Sequence, residues 1–254
     1  MKKTGVLLLA GAFLAIIGCN DKKDKKMEDE SQMQNEKEAM IQQGDTAWED
    51  LFNGVDYEGW KAYNSDSISD QWQVKDSAMV FTPAEGDRQG SENLITKDVY
   101  KNFELSFEWK ISEGGNSGVM WAVQEDPAYP EPYMTGPEIQ VLDNERHPDA
   151  KNGTTHRAGA LYDLVPPSKD VTKPAGEWNK EVIKIDHKTN KGTVTLNGEK
   201  VTEFPVHGDE WQKMIDKSKF TEWKDFGKNE SGHIALQDHG NQVSYRNIKI
   251  RKLD

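Results

Sequence analysis

The chain has 254 residues, a formal net charge of −12 and a single cysteine. So acidic a surface argues against nucleic acid as a partner, and no basic segment interleaved with aromatic residues suggests one. Because there is no second cysteine, an intrachain disulfide is excluded, and the fold must be held together by its core alone.

The first residues predict an exported chain. Lys2 and Lys3 precede the apolar run GVLLLAGAFLAII, which is shorter than the roughly 20 residues that a transmembrane helix needs. The run ends at IIGC, which resembles the bacterial lipobox, whose cysteine becomes the lipidated N-terminus. We therefore expect a lipoprotein signal peptide at residues 1–18, a lipidated Cys19, and a location in the cell envelope, on the periplasmic face or the outer-membrane surface. The alternative is an ordinary secreted protein.

A charged segment separates this signal from the rest of the chain. Residues 19–46 are dense in charge and poor in aromatic residues, which predicts a flexible tether. The remainder, residues 47–254, is long enough for one large all-β domain.

Alternation of apolar and polar residues dominates that domain. The stretch NFELSFEWKI, residues 102–111, predicts a strand with one dry and one solvated face. Residues 181–204 predict an antiparallel meander of three strands, whose last turn is Asn197-Gly198. Four further stretches also predict strands, namely GVMWAVQ, PEIQVLD, GHIALQDH and VSYRNIKIRKL.

One segment has helical spacing. Residues 209–220 predict a short helix, with Asp209 and Gln212 forming its N-terminal cap. Many short strands joined by turns, together with a single helix, predict an all-β sandwich or jelly roll of two antiparallel sheets.

Two of the predicted strands carry polar residues at positions i and i+2. One strand has Glu138 and Gln140, and another has Gln237 and His239. The outer face of one sheet of a sandwich can curve into a groove whose side chains are both rigidly mounted and reachable from solvent. We expect these four residues to share a binding site. The alternative is that they are ordinary polar residues on half-solvated strands.

Two nearby residues are further candidates for this groove. Strict alternation places Asp143 on the opposite face from Glu138, and a β-bulge would return it to the groove. Without a bulge, Asp143 is a turn residue. Asn116 lies among glycines in EGGNSGVMW, where the backbone can approach a ligand closely. A plain hairpin loop is the alternative there.

Three more side chains are candidates for contact with a ligand. Trp178, in GEWN, is either a stacking platform for a sugar ring or a plug in the core. Arg246 and Asn247, in YRNI, are predicted to interrupt their strand. Arg246 is a candidate partner for a carboxylate such as Glu138 or for a substrate oxygen, and Tyr162 is a candidate rim residue. We find no zinc-type spacing and no phosphate or dinucleotide motif, so we expect neither a structural zinc nor a redox cofactor.

Seven stretches occur in a fixed order, namely LFNGVDYEGW, GGNSGVMW, GPEIQVLDN, GEWN, LNGEKV, GHIALQDHG and YRNIKIRKL. Together they resemble the 3-keto-disaccharide hydrolase family, formerly called domain of unknown function 1080, from about Leu51 to the C-terminus. The resemblance implies a concanavalin A-like lectin/glucanase jelly roll, which agrees with the all-β prediction. It also implies a relationship to lipoproteins that are often found in Bacteroidetes-type bacteria.

The resemblance implies a reaction as well. A ketone at C3 of a glycoside acidifies the C2 hydrogen, a base removes it, and the enolate expels the C1 substituent. Water then adds back to leave the 3-keto sugar. The catalytic candidates are His239, Glu138 and Asp143, with the base and acid roles left open. An upstream sugar 3-dehydrogenase would supply the ketone.

The remaining roles follow from the same resemblance. Gln140, Gln237, Asn116 and Arg246 would bind hydroxyl groups or the enolate. Trp121 is a further candidate substrate contact, and it stands where some relatives carry an arginine. A divalent metal held by Glu138, Asp143 or His239 is an alternative means of polarising the ketone.

Two rival functions stay open. Residues 138–143 read E-x-Q-x-x-D, close to the E-x-D-x-x-E strand of retaining glucanases on this fold. Retention requires two carboxyl groups roughly 5–5.5 Å apart, which Glu138 and Asp143 could reach only with the bulge. The other rival is a non-catalytic carbohydrate-binding lipoprotein.

Overall fold

The computed structural model describes residues 47–86 and 90–253. The predicted signal peptide, Cys19 and the tether lie outside these ranges. The described chain is a jelly-roll sandwich of two antiparallel sheets, which confirms the predicted fold class. Within these residues, no helix is both long enough and apolar enough to cross a membrane.

The chain passes repeatedly between the two sheets, with one to three consecutive strands in a sheet before each crossing. Their bounds are β1 Glu49–Asp50, β2 Trp60–Ala62, β3 Trp72–Lys75, β4 Ala78–Phe81, β5 Leu94–Thr96, β6 Phe103–Ile111, β7 Asn116–Val123, β8 Glu138–Leu142, β9 Asn179–Asp186, β10 Lys191–Leu196, β11 Glu199–Phe204, β12 His233–Leu236 and β13 Val243–Lys252. Short 3-10 helices occupy Pro132–Met134, Pro148–Lys151 and Thr154–His156.

The larger sheet, sheet A, has the strand order β11-β10-β9-β6-β13-β4-β3, with β1 also paired to β13. The smaller, sheet B, has the order β2-β5-β12-β7-β8. Neighbours that are distant in sequence, such as β12 and β7, therefore lie side by side. This arrangement brings the two predicted polar strand segments to the same sheet.

The core lies between the sheets and follows the alternation seen in the sequence. On β6 the inward side chains are aromatic or aliphatic and almost fully buried, whereas the outward ones are partly exposed. Burial of each such side chain contributes about 1.5–3 kcal/mol. The inward residues of β6 are Phe103, Leu105, Phe107, Trp109 and Ile111.

The predicted meander is confirmed as β9, β10 and β11. Its last turn places Asn197 at φ 50° and Gly198 at φ 86°, the left-handed conformations that a two-residue hairpin loop requires. The predicted interruption in YRNI is also present, because the β13–β6 register shifts between Arg246 and Lys249, and Asn247 has φ 52°.

The helix prediction needs correction at both ends. The helix, α1, runs over Gly208–Ile215, so it ends before residue 220. Its N-cap is His207 without a side-chain cap, and Gln212 instead donates to Asp216, so the predicted Asp209 cap is wrong. Beyond α1 the chain continues in turns, and its aromatic residues pack on one another instead of along one helix face.

Candidate active site

A cavity of about 350 Å³ opens on the outer face of sheet B. Polar side chains from three adjacent strand segments form its floor, and an aromatic wall closes one side. The lining residues are Asn116, Tyr133, Gly136, Glu138, Gln140, Tyr162, Lys219, Phe220, Trp223, Phe226, Gln237 and His239.

Strand register explains why the polar residues meet. On β7 and β8, Gly118 lies opposite Gln140, and Glu138 begins β8 on the same face. The backbone N–H of Gln237 donates to the carbonyl of Gly118 at 2.9 Å, which continues the pairing of β12 with β7. Alternation then directs Glu138, Gln140 and Gln237 to one face, so the predicted convergence of these three residues is present.

Gly118 provides the space in which the Glu138 carboxyl lies. A Cβ added at Gly118 would overlap Oε1 of Glu138 and come within 2.6 Å of its Cδ. The φ angle of Gly118 is not positive, so a glycine is required here for space and not for backbone conformation. Across this gap, the Gln237 Nε2 donates to Glu138 Oε2 at 3.5 Å.

Glu138 is held as a largely neutral carboxylic acid at neutral pH. Burial raises its pKa to about 8, because a carboxylate is poorly solvated there. The charge of Lys219 and the hydrogen bond from Gln237 oppose this rise, and the charge of Asp149 adds to it. A carboxyl group whose pKa lies near the working pH can both take and return a proton.

Three amide oxygens in the cavity lack a hydrogen-bond donor from the described part of the chain. They belong to Asn116, Gln140 and Gln237, each of which is at most 5 % exposed. Buried acceptors are normally satisfied, so these oxygens are suited to accept hydrogen bonds from a bound molecule rich in hydroxyl groups.

A backbone segment along the edge of β8 positions Tyr162. The Tyr162 N–H donates to the carbonyl of Glu138 at 2.9 Å, and Gln140 exchanges backbone hydrogen bonds with the same segment. The Tyr162 hydroxyl donates to Asp149 Oδ2 at 3.1 Å. Burial raises the pKa of Tyr162, so its hydroxyl stays protonated. The predicted rim residue is therefore part of the cavity wall.

Behind Tyr162 lies a charged network that sequence reasoning did not assemble. His156 contacts Asp149 through Nδ1 at 2.9 Å and Asp163 through Nε2 at 3.2 Å. Burial raises the pKa of Asp149, but hydrogen bonds from Asn152, His156 and Tyr162 outweigh it and leave the pKa below its usual value. This network fixes the Tyr162 side chain from behind.

The segment after α1 supplies residues that sequence reasoning missed. Lys219 lies with its Nζ 4.1 Å from the centre of the Tyr162 ring, and its backbone N–H donates to Asp163. The aromatic wall is built from the same segment, and it includes Phe220, Trp223 and Phe226. The density of aromatic residues in KFTEWKDF was the available signal, but the helix assignment concealed it.

His239 stands at the exposed mouth of the cavity. The preceding Asp238 fixes its turn, because that carboxylate accepts the backbone N–H groups of Glu92 and Gly240. The ring of His147 lies edge-on to His239, with centroids 6.2 Å apart. His239 is thus on the rim, whereas Glu138 is on the floor.

Asp143 does not reach the cavity. The β7–β8 register is continuous from Asn116 to Met120, so the bulge considered from the sequence is absent from this pair. The Asp143 carboxylate instead accepts the N–H groups of Gly114 and Glu145 and contacts Arg146. Burial raises the pKa of Asp143, but these hydrogen bonds outweigh it and lower the pKa overall. Its position is that of a turn residue.

Three other predicted sugar contacts also lie elsewhere. Trp121 is buried between the sheets, where it stacks on Phe204, because its position on β7 faces inward. Arg246 donates to Glu108 at 2.8 Å, and its guanidinium lies 4.0 Å from the centre of the Trp178 ring. Both residues are on the outer face of sheet A, away from Glu138.

The metal alternative does not fit this arrangement. Over residues 47–86 and 90–253, no three His, Cys, Asp or Glu side chains are grouped to hold a metal ion. In particular, Asp143 is turned towards Gly114 and not towards Glu138 and His239.

A jelly-roll sandwich with a carboxyl and amide floor beside an aromatic wall is the arrangement of a carbohydrate site. Residues 47–251 match the family described as 3-keto-alpha-glucoside-1,2-lyase-like domains. The chain belongs to this family, as its resemblance predicted, and it is a carbohydrate-active hydrolase.

Individual relatives support the same family assignment. A 3-keto-disaccharide hydrolase of Bacteroides thetaiotaomicron is 37 % identical over 230 aligned residues, which cover 80 % of this chain and 78 % of the relative. The solved structure of a candidate glycosyl hydrolase from Parabacteroides distasonis has a TM-score of 0.76 and 32 % identity, covering 82 % of this chain and 95 % of that one. A second such structure from the same organism has a TM-score of 0.62 and 29 % identity, covering 82 % and 100 %.

Proposed function

We propose that the protein cleaves 3-keto-glycosides by elimination of the C1 substituent followed by addition of water. The observation that carries this proposal is the buried Glu138 carboxyl, with a pKa of about 8, beside three amide oxygens that lack donors. Family membership and the name of the Bacteroides relative support the same substrate class.

The chemistry requires a base, a group that stabilises the enolate, and an acid. The base takes the C2 hydrogen, and the C2–H electron pair forms the enolate with the C3 oxygen. The enolate then collapses to restore the ketone, a C1–C2 double bond forms, and the C1–O bond breaks. The leaving oxygen receives a proton. Water adds to C1 and a proton returns to C2, which leaves the 3-keto sugar and the released alcohol.

In our assignment Glu138 is the base. Its raised pKa suits the abstraction of a proton near neutral pH. Its position on the cavity floor lets the carboxyl approach a hydrogen of the bound sugar ring. Gly118 leaves room for the carboxyl to lie across β7, so its position is set by the strand and not by a mobile loop.

His239 is assigned as the acid for the leaving group. An imidazole titrates near neutral pH, and the cavity mouth is where a leaving alcohol exits. Lys219 and the amide of Gln237 are assigned to the developing enolate charge. Asn116 and Gln140 accept hydrogen bonds from the remaining sugar hydroxyls, for which their orphaned oxygens are suited.

The rival retaining-glycosidase mechanism has no support in this geometry. It requires a second carboxylate facing Glu138 across the sugar, and its only candidate from the sequence was Asp143. That carboxylate is occupied by two backbone N–H groups and an arginine outside the cavity.

The decisive experiment uses 3-keto-trehalose, 3-keto-lactose and the two unoxidised parent sugars, each with and without EDTA. We expect cleavage of the keto sugars alone, insensitive to EDTA, with a primary isotope effect when C2 carries deuterium. The apparent pKa in the kcat/KM profile should lie near 8, with activity rising as Glu138 ionises. Cleavage of the parent sugars would overturn the proposal. So would the absence of an isotope effect together with full retention of the C2 deuterium in the product.

We also propose that the protein is exported and tethered to the cell envelope through lipidated Cys19, with a sugar 3-dehydrogenase supplying its substrate. The sequence IIGC after an apolar run supports the anchor. A Cys19→Ser variant should move from the membrane fraction to the soluble fraction and lose fatty-acid labelling. Unchanged labelling of that variant would refute the anchor.

A further inference from the structure

A second cavity lies on the outer face of sheet A, opposite the catalytic one. It measures about 480 Å³, and the two cavities share no lining residue. Its walls carry Trp178 and Arg246, which the sequence suggested as sugar contacts but which the structure separates from Glu138. The lining residues are Lys75, Asp76, Ala78, Val80, Lys110, Ile111, Ser112, Gly176, Trp178, Gln242, Ser244 and Arg246.

Strand register builds this cavity. Ser244 of β13 lies between Lys110 of β6 and Val80 of β4, so a small side chain separates a cation from an apolar neighbour. Ala78 of β4 likewise lies opposite Lys75 of β3. Small residues at the centre and long ones at the sides produce a depression with a buried floor.

Positive charge converges on this cavity although the chain as a whole carries −12. The Lys110 Nζ lies 4.9 Å and the Arg246 guanidinium 4.0 Å from the centre of the Trp178 ring. Glu108 pairs with Arg246 and Asp76 also lines the cavity, so two carboxylates face three cations, and neither Lys75 nor Lys110 forms an ion pair with any described residue. A bound anion would compensate these charges.

We propose that this cavity is an accessory site for a short acidic saccharide, one whose sugar units bear carboxylates. Lys75, Lys110 and Arg246 would bind the carboxylates. The indole of Trp178 lies under both Lys110 and Arg246 and holds these two cations at the cavity wall. Ser112, Gln242 and Ser244 provide hydroxyl and amide groups for sugar hydroxyls, which a bare inorganic anion would not use.

The net charge limits the ligand to a short one. A long anionic polymer would extend over the acidic surface and be repelled, whereas an oligomer of a few units fits within the cationic cavity. The site goes beyond the proposed catalytic function, because it needs neither a ketone nor Glu138. It would hold the enzyme on an acidic glycan while the other sheet performs catalysis.

The test is calorimetric titration of the purified protein with trigalacturonate. The comparators are maltotriose, which has the same length but no charge, and tricarballylate, which has three carboxylates but no sugar. We expect trigalacturonate to bind at least tenfold more tightly than either. Trp178→Ala and Lys110→Gln should each weaken its binding at least fivefold, while cleavage of keto sugars by both variants stays unchanged.

Three control variants should bind trigalacturonate as the parent does. Trp48→Ala removes another surface tryptophan that contacts an arginine, Arg251, and Lys188→Gln removes an exposed lysine in the β9–β10 turn. Glu138→Gln alters only the catalytic cavity. Three outcomes would each overturn the proposal. Maltotriose or tricarballylate could bind as tightly as trigalacturonate, trigalacturonate could fail to bind at all, or the Glu138→Gln variant could lose its binding of trigalacturonate. Lys110→Gln keeps the test valid if Trp178→Ala folds poorly.

Discussion

Replacement of Glu138 by glutamine should change how the stability of the protein depends on pH. Burial raises the pKa of this carboxyl from 4.5 to about 8 in the folded protein. In the unfolded chain it returns to its ordinary value. Between these two pKa values the folded state keeps the proton and the unfolded state releases it, so stability falls as pH rises. Below pH 4.5 both states are protonated, and this contribution is fully present.

The size of the effect follows from the same pKa values. One pH unit within this window corresponds to about 1.4 kcal/mol. The interval between pH 5 and pH 8 therefore costs the parent protein about 4 kcal/mol of its free energy of unfolding through this one group. Glutamine has nearly the same shape and no titration. The Glu138→Gln variant should thus become progressively more stable than the parent as pH rises.

The assay is urea unfolding of both proteins at pH 5, 6, 7 and 8, with cleavage of a 3-keto-disaccharide measured in parallel. Glu138→Gln should lower kcat by a factor of about 10²–10⁴, the usual contribution of a general base. A difference in unfolding free energy that does not vary with pH would refute the reasoning, because it would mean that Glu138 is not held as a buried neutral acid.

Glu181 provides a matched control. It is fully buried between the sheets, where its carboxylate accepts a hydrogen bond from the Trp109 indole at 2.6 Å. Burial also raises its pKa to about 8. Glu181→Gln should therefore reproduce the pH-dependent gain in stability. It should leave the cleavage rate unchanged, because Glu181 does not line the catalytic cavity.

Three further predictions concern Gly118, Asp143 and Lys219. Gly118→Ala should destabilise the parent protein by about 1–3 kcal/mol, because the added methyl group overpacks against Glu138. The same change should cost much less stability in a Glu138→Ala background. Additive effects of the two changes in a double-mutant unfolding cycle would contradict the close contact. Asp143→Asn should destabilise the protein by about 1–2 kcal/mol, because it weakens the hydrogen bonds from the backbone N–H groups of Gly114 and Glu145. The kcat should stay unchanged. A loss of kcat as large as that of Glu138→Gln would show that Asp143 takes part in catalysis. Lys219→Met should lower kcat at least tenfold. Lys217→Met, which removes an exposed lysine two residues earlier, should leave kcat unchanged. Equal kcat values for the two variants would show that Lys219 has no role in the mechanism.

Much of the architecture could be predicted because its physical causes are local. The alternation in β6, the Asn197-Gly198 turn and the interruption of β13 near Asn247 depend on side-chain period and backbone conformation, which neighbouring residues determine. The helix was the exception. Its apolar spacing predicts an extension to residue 220, yet the helix ends at Ile215, and Phe220 beyond it stacks on Phe226.

The candidate site was predicted only in part. Glu138, Gln140 and Gln237 could be found, because a polar residue repeated on one face of a strand conflicts with ordinary burial. Asn116 could be found from the glycines around it, which allow a ligand to approach the backbone. Lys219 and the aromatic wall could not, because they lie in an irregular segment, where no period indicates which side chains face the same way. Trp178 and Arg246 were grouped with the strand-face residues because both residue types commonly contact sugars. Residue type indicates what a side chain can bind, but it does not indicate on which sheet the side chain lies.

The sequence by itself determined the all-β class, the strands from β6 onwards, the family and the polar residues of the floor. Only the tertiary structure decided that β12 lies beside β7, which places Gln237 across Gly118 from Glu138. It also decided that Asp143 belongs to a turn, and that Trp178 and Arg246 form a separate cavity on the other sheet. The physical reason is that strand period fixes the face on which a side chain lies, whereas pairing between distant segments fixes which side chains share that face.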